Sequence, residues 1–317
     1  MKVKLFSHND LDGVGAIVVG KHAFEDSLDF ECCAYHNIDE KVKTFLESDE
    51  FEKIDAIFIT DISVKDPEVI DLINEKATNK LMLIDHHASA EHLNKYSWAK
   101  VSETEDTYSD YLLPETRLSS GTTAFYTYLV QNELLVPTDE LSDFTEMVRD
   151  WDTWDWTRKN PQNITAKQLN MLHVLIGHYK FIDRFSKNPE VVFNATERAL
   201  LETEERRIES VLFQKKRDII KKELTLKNNT FNVAVAFSDN YHSELGNAIA
   251  EDNPDIDFVI LINGGTRLSF RTVKEDIDLS VIAKEFGGGG HPMAAGALLS
   301  EETREKLIET ILNSTNS

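Results

Sequence analysis

The sequence predicts an α/β protein: an N-terminal parallel sheet with helices on both faces, joined by a long helix to a smaller α/β C-terminal domain. Three observations carry this. Up to residue 90, near-continuous apolar runs alternate with helical patterns, which is how strands covered on both faces read. Residues 194–224 are highly charged, free of Gly and Pro, and carry one apolar stripe. Beyond Asn228-Asn229 the alternation of strands and helices restarts.

In chain order, strands are predicted at VKLFS (3–7), FECCAY (30–35), DAIFIT (55–60) and KLMLID (80–85). Helices fall between them over 13–24, 39–48 and 67–78, the last with Pro67 in its first turn. Residues 100–120 are polar and read as a loop, after which SSGTTAFYTYLV (119–130) starts another helix. A helical stretch ends in EMVRDWDTWDWTRKN (146–160), and Asn160-Pro161 marks a break. Leu201, Ile208, Leu212 and Ile219 then follow at 7-4-7 spacing. They predict a helix of about 30 residues and roughly 45 Å. The last third reads as strand FNVAVAF, a helix after His242, strands FVILING and RLSFRT, a helix near 278–286, and a glycine run. The resulting domains are 1–190, a connecting helix over 191–227, and 228–317.

At 317 residues the chain is long enough for two domains. It has no apolar run of about 18 residues and no signal-peptide core in MKVKLFSHND, so a cytoplasmic protein without a membrane partner is expected. The formal charge of −22, from 56 acidic and 34 basic residues, repels long polyanions and argues against duplex tracking. A short phosphorylated substrate held by metals and a few arginines stays compatible with it. Cys32 and Cys33, the only cysteines, read as two buried strand thiols rather than a zinc site.

Acidic and imidazole groups gather just past the predicted strand ends, where parallel sheets bind ligands. His8, Asp10 and Asp12 alternate, and in an extended segment they share one side; Asp-Gly is also a common turn. Asp61 follows DAIFIT, where it could equally cap a helix. Asp85, His86 and His87 follow KLMLI, although paired His also occur in loops. Their joint placement favours a metal centre. Carboxylate and imidazole donors without thiolate prefer Mn²⁺ or Mg²⁺ over Zn²⁺, and carboxylates so close repel one another unless cations lie between them. Two cations about 3.5–4 Å apart, sharing one carboxylate, activate water and clamp phosphoryl oxygens. That chemistry is phosphoester hydrolysis.

FGGGGHPMAAGA (286–297) is the second signal. Gly287, Gly288, Gly289 and Gly290 expose backbone N–H groups. Ala294, Ala295 and Gly296 read as a helix start that favours anions, and His291 can donate to a phosphate; a flexible linker is the plainer alternative. Arg267 and Arg271 share one face of a strand, positioned to grip phosphate or to form edge salt bridges.

Together, NDLDGVGA, TDIS, LIDHH and FGGGGHPMAAGA resemble the DHH phosphoesterase superfamily with its C-terminal DHHA1 substrate-binding domain, in order and spacing across nearly the whole chain. The branch that looks closest is the oligoribonucleases, or nano-RNases, which digest very short RNAs to mononucleotides. The resemblance implies that His8, Asp10 and Asp61 hold one Mn²⁺. It implies that Asp12, Asp61, His86 and a later Asp hold a second, with Asp61 bridging. Asp85 would orient His86, and His87 would face the scissile phosphate, stabilising its charge or protonating the leaving oxygen. Arg271, the four glycines and His291 resemble the residues that grip the nucleotide. The family is built with a cleft between the domains, which makes the long helix a hinge. In some relatives the first His stands three residues before the next Asp, whereas only Asn9 separates His8 from Asp10. For the later Asp, VRDWDTWDW offers Asp150, Asp152 and Asp155, with Asp150 favoured because it comes after the apolar Met147-Val148 step. Trp151, Trp154 and Trp156 are expected to fill a hydrophobic seam, with base stacking as the alternative.

The leading functional expectation is a Mn²⁺-dependent exonuclease that degrades short RNA to nucleoside monophosphates. The chain also lacks the extra nucleic-acid-binding domain of longer single-strand exonucleases, and a homodimer is compatible with it. The alternatives are a phosphatase of 3′-phosphoadenosine 5′-phosphate, a dinucleotide or cyclic dinucleotide phosphodiesterase, and a non-catalytic nucleotide sensor.

Overall fold

A computed structural model of the chain describes residues 1–107, 115–159 and 164–313. It divides into two compact units, Met1–Leu201 and Glu202–Ser317. The first is built from β1 (Val3–His8), α1 (Leu11–Phe24), β2 (Leu28–Cys33), α2 (Ile38–Leu46), β3 (Ala56–Thr60), α3 (Pro67–Lys76), β4 (Leu81–Asp85) and β5 (Ala99–Val101). These strands form one parallel sheet in the order β2-β1-β3-β4-β5. The chain leaves β1 for β2 on one side and later returns to β3 on the other. The C-terminal ends of β1 and β3 therefore flank the crevice where such sheets take ligands. Val3, Leu5, Phe6, Ile57, Ile59 and Leu83 are fully buried, which is why these strands read as apolar runs. Cys33 is buried, whereas Cys32 is only half-buried, which corrects the expectation of two buried thiols.

The polar stretch read as a loop contains a strand pair, β6 (Thr104–Thr107) and β7 (Glu115–Leu118), antiparallel to each other. Arg117 pairs with both Glu105 across this hairpin and Glu146 beyond it. Local polarity hid strands whose pairing is held by ions. Then come α4 (Gly121–Gln131), α5 (Asp139–Asp152), α6 (Asp155–Lys159), α7 (Thr165–Ile176) and α8 (His178–Lys187). The expected break at Asn160-Pro161 lies outside the described residues.

The long helix is shorter than its charge pattern suggests. α9 (Ala195–Lys215) has 21 residues, and after one 3-10 turn the chain becomes β8 (Ile220–Leu226), hairpinned to β9 (Asn229–Phe237). The connecting helix expected over 191–227 is thus corrected to 195–215. In IKKELTL, Leu224 and Leu226 alternate inward onto the second core, a period of two that the strand partner enforces. Lys227 turns the hairpin with φ 53°.

The second unit continues with α10 (His242–Asp252), β10 (Phe258–Asn263), β11 (Arg267–Arg271), α11 (Leu279–Glu285), β12 (Gly289–His291), β13 (Ala294–Leu298) and α12 (Glu301–Asn313). Its sheet runs β12-β13-β11-β10-β9-β8, with β9 and β10 parallel and the other pairs antiparallel. Leu245 and Ile249 of α10 pack on one face, and Leu279 and Ile282 of α11 on the other. The helix start expected at Ala294 is instead a strand. A side chain on Gly288 would put Cβ 2.0 Å from the Gly296 carbonyl oxygen, so glycine there lets two backbones close on each other. Among the described residues, no helix is long and apolar enough to cross a membrane.

Candidate metal centre and catalytic site

β1 ends at His8, and the chain turns at once into α1, where Asp10 is the N-cap accepting from the Gly13 amide at 3.0 Å. His8, Asp10 and Asp12 are therefore not on one extended segment. They occupy a strand end, a helix cap and the first helical turn. Asp12 is 2% exposed. Its carboxylate accepts the amides of Gly121 (2.5 Å) and Thr122 (2.9 Å) at the N-terminus of α4, where the helix dipole favours negative charge.

Asp61, just past β3, has left-handed backbone with φ 58°. It caps no helix, because α3 is capped by Asp66. α4 passes so close that a Cβ on Gly121 would stand 2.4 Å from the Asp61 Cβ. Backbone strain of this kind persists where surrounding packing over-determines it, often at functional sites.

Two donor sets meet here. His8 Nδ1 lies 2.8 Å from Asp10 Oδ2 and 3.7 Å from Asp61 Oδ2. His86 Nε2 lies 3.2 Å from Asp61 Oδ1, 3.6 Å from Asp12 Oδ2 and 3.7 Å from Asp152 Oδ2. One Asp61 oxygen faces each set. The expectation of Asp150 is corrected: its carboxylate is held by the Arg149 guanidinium, which also donates to Asp155 at 2.9 Å. Arg149 is fully buried and engages the two carboxylates that flank Asp152 in sequence.

Asp85 plays a different part from the one the resemblance implied. Its Oδ1 accepts the His87 ring through Nδ1 at 2.7 Å, along with the His86 amide at 2.8 Å, while Ser63 donates to Oδ2 at 2.5 Å. Asp85 thus orients the His87 imidazole, and its hydrogen bond to His86 is to the main-chain amide. His87 Nε2 contacts the hydroxyl of Tyr35 at 3.3 Å. Tyr35, Ser63 and the α4 amides escaped sequence reasoning because none belongs to a recognisable pattern of ligands.

The electrostatics fit a cation site. Burial, together with the charges of Asp12 and Asp10, pushes the Asp61 carboxyl well above the usual range. Burial and Asp12 likewise push Asp152 up to about 7. Burial opposes protonation of His8, but Asp10 and Asp61 outweigh it and raise the imidazole to about 10. Burial works against the Asp85 carboxylate, yet His87 and Ser63 hold it below the usual range. His8 Nδ1 and Asp61 Oδ2 are buried without a hydrogen-bond partner in acceptable geometry. Carboxylate crowding, orphaned inward-facing atoms and purely N and O donors are what hard divalent cations relieve. Donor atoms of His8, Asp10 and Asp61 lie within 4.8 Å of one another, as do those of Asp12, His86 and Asp152 and those of Asp61, Asp85, His86 and His87.

In the second unit, strand register puts Arg271, Ala294 and His291 in one row and Ser269, Gly296 and Gly289 in the next, on one face. Arg267 shares that face two residues further along. The Arg271 guanidinium donates to Ser243 at 2.9 Å, and its stem packs on Gly246. Gly289, Gly296 and Ala294 make a floor of small residues beside Arg271 and His291. The Gly287 and Gly288 amides close α11 by donating to Lys284 and Ala283 carbonyls, so they do not cradle an anion as expected. Trp151, Trp154 and Trp156 pack on one another, with centroids 5.2–6.1 Å apart.

The model of the DHH family, N-terminal domain, matches residues 2–147, and that of the DHHA1 domain matches residues 226–316. Oligoribonuclease NrnB of Bacillus subtilis (strain 168) is 38% identical over 312 residues, covering 96% of this chain and 74% of that protein. Among solved structures, RecJ from Thermus thermophilus in complex with Mn²⁺ superposes with a TM-score of 0.55 at 13% identity, over 97% of this chain and 51% of its own. The pGpG-specific phosphodiesterase PggH from Vibrio cholerae gives 0.52 at 12% identity over 99% of both. At such identities the two superpositions speak to the fold.

Proposed function

This chain belongs to the DHH family, and from that premise we propose that it is a metal-dependent exonuclease that shortens RNA of a few nucleotides to nucleoside monophosphates. The observation that carries the reading is the similarity to oligoribonuclease NrnB along 96% of the chain. The paired donor sets support it with matching chemistry.

His8, Asp10 and Asp61 would hold one Mn²⁺, and Asp12, Asp61, His86 and Asp152 a second, with Mg²⁺ as the substitute. When bound, such a pair supplies Lewis-acid charge to phosphoryl oxygens and lowers the pKa of water. Asp85 fixes the His87 ring by taking its Nδ1 side, which leaves Nε2 to meet the scissile phosphate and the charge that develops there. Arg267, Arg271 and His291 hold the nucleotide on the glycine floor; Arg supplies paired donors that suit phosphate. The charge of −22 suits short single strands over long duplex. The activity suits a cytoplasmic protein, alone or as a homodimer.

The test is a Mn²⁺-supplemented time course on labelled RNA of two to five nucleotides, beside cyclic dinucleotide and 3′-phosphoadenosine 5′-phosphate. Stepwise shortening to monomers, faster than either small substrate is consumed, supports the proposal. Preference for a small nucleotide moves the function to that substrate. No turnover with metal bound favours a nucleotide sensor.

A further inference from the structure

Tyr35 belongs to none of the motifs, yet the fold delivers it to the mouth of the metal centre. It follows β2, the strand beside β1, so the sheet brings it next to His8. Its ring centroid is 4.8 Å from that of His8 and 6.3 Å from that of His87. The Lys65 ammonium stands 5.2 Å over the ring. With these neighbours engaging the ring, the hydroxyl is the end left to act. It lies 3.3 Å from His87 Nε2, the nitrogen left after Asp85 engages Nδ1.

The Tyr35 hydroxyl and His87 Nε2 thus converge on one point in front of the donor sets. Their contact is longer than a strong hydrogen bond of this kind, as catalytic contacts often are before substrate tightens them. Both line one small pocket with Lys65, Ser89 and His92, which leaves space beside them. Where ionised, the carboxylates around them can only accept and repel a phosphate. A phenol there is a neutral donor. An ordinary phenol, with a pKa of about 10, keeps its proton near neutral pH.

We propose that Tyr35 is a catalytic residue whose hydroxyl donates, beside His87, to a non-bridging oxygen of the scissile phosphate. The inference rests on the phosphoesterase reading above. It adds one donor to the charge that builds on phosphorus oxygens as the ester is displaced. The Tyr35 proton is shared with that oxygen and stays on the phenol.

The experiment compares wild type, Tyr35→Phe and Tyr35→Leu, full-length and loaded with Mn²⁺. Turnover is measured on short RNA and on bis(p-nitrophenyl) phosphate, and calorimetry follows binding of Mn²⁺ and of inorganic phosphate. Tyr35→Phe keeps the ring against His8 and removes only the donor. The expected result is a kcat lower by about 10- to 10²-fold on both substrates with KM little changed. Phosphate binding weakens several-fold while Mn²⁺ affinity holds. A Tyr35→Phe protein with wild-type kcat and phosphate affinity overturns the proposal, even where Tyr35→Leu is impaired, because only the ring then matters. A parallel loss of Mn²⁺ affinity also overturns it, by making Tyr35 a support for His8. Wild-type cleavage of bis(p-nitrophenyl) phosphate without cleavage of RNA would refute the oligonucleotide reading and leave Tyr35 tested on the simpler ester. If neither is cleaved, phosphate affinity decides.

Discussion

The two units treat charge in opposite ways. In the parallel-sheet unit, Asp12, Asp61 and Asp85 are 1–2% exposed and His86 9%, and the carboxylates crowd until Asp61 resists ionising. In the C-terminal unit, Arg267 and His291 stand exposed beside a floor of small residues. Ionisable groups packed as in the first unit are costly unless counter-charge enters, whereas Arg267 and His291 of the second unit avoid that cost because water reaches them, and the half-buried Arg271 on the same face has its pKa lowered by burial. The proposed chemistry thus sits where the backbone is over-determined, at the left-handed Asp61 wedged on Gly121. The proposed binding sits where ordinary strand register projects side chains.

The contrast predicts that damage to the first unit removes turnover and metal together, while damage to the second changes substrate affinity alone. The largest effect is expected from Asp61→Ala, which removes the carboxylate facing both donor sets. Turnover should fall on the order of 10³-fold or more. Bound Mn²⁺, counted by metal analysis, should drop with an unchanged circular dichroism spectrum. Near-normal activity would dismantle the two-metal assignment. Next, Asp152→Asn should weaken Mn²⁺ affinity and kcat by roughly 10²-fold. Asp150→Asn should spare both and instead cost about 1–3 kcal/mol of stability, because Arg149 loses a charged partner. Titration calorimetry and thermal denaturation separate the two, and a reversed pattern would restore Asp150 as the ligand. The smallest effect is expected from Arg271→Ala: KM about tenfold higher, kcat within a few-fold, Mn²⁺ affinity unchanged. Equal losses in kcat and kcat/KM would mean that Arg271 acts in the transition state, and the division of labour between the units would fail.

How far the sequence could be read depended on the range of the forces at each position. β1, β3 and β4 were legible because their apolar runs end in His8, in Thr60 before Asp61, and in Asp85. The segment after Lys215 was misread because its charge looked helical, while its strand state depends on pairing with β9. Context of that kind overrides local propensity. Asp150 and Asp152 are two residues apart on one helix, which puts them about 200° apart around its axis. No local rule says which side faces His86; the buried Arg149 does.

By itself the sequence determined the parallel sheet and the edge at which its chemistry gathers. Apolar strands that end in Asp and His can leave those groups only at the C-terminal ends. The tertiary structure alone decided that Asp152 joins the donor set, that Asp85 serves His87, that Tyr35 closes on the same point, and that the glycines form a strand floor. Each of these rests on contacts between distant segments, such as Asp12 with the Gly121 amide 109 residues away. A pattern of neighbours in sequence carries no information about which of several nearby carboxylates such a contact will choose.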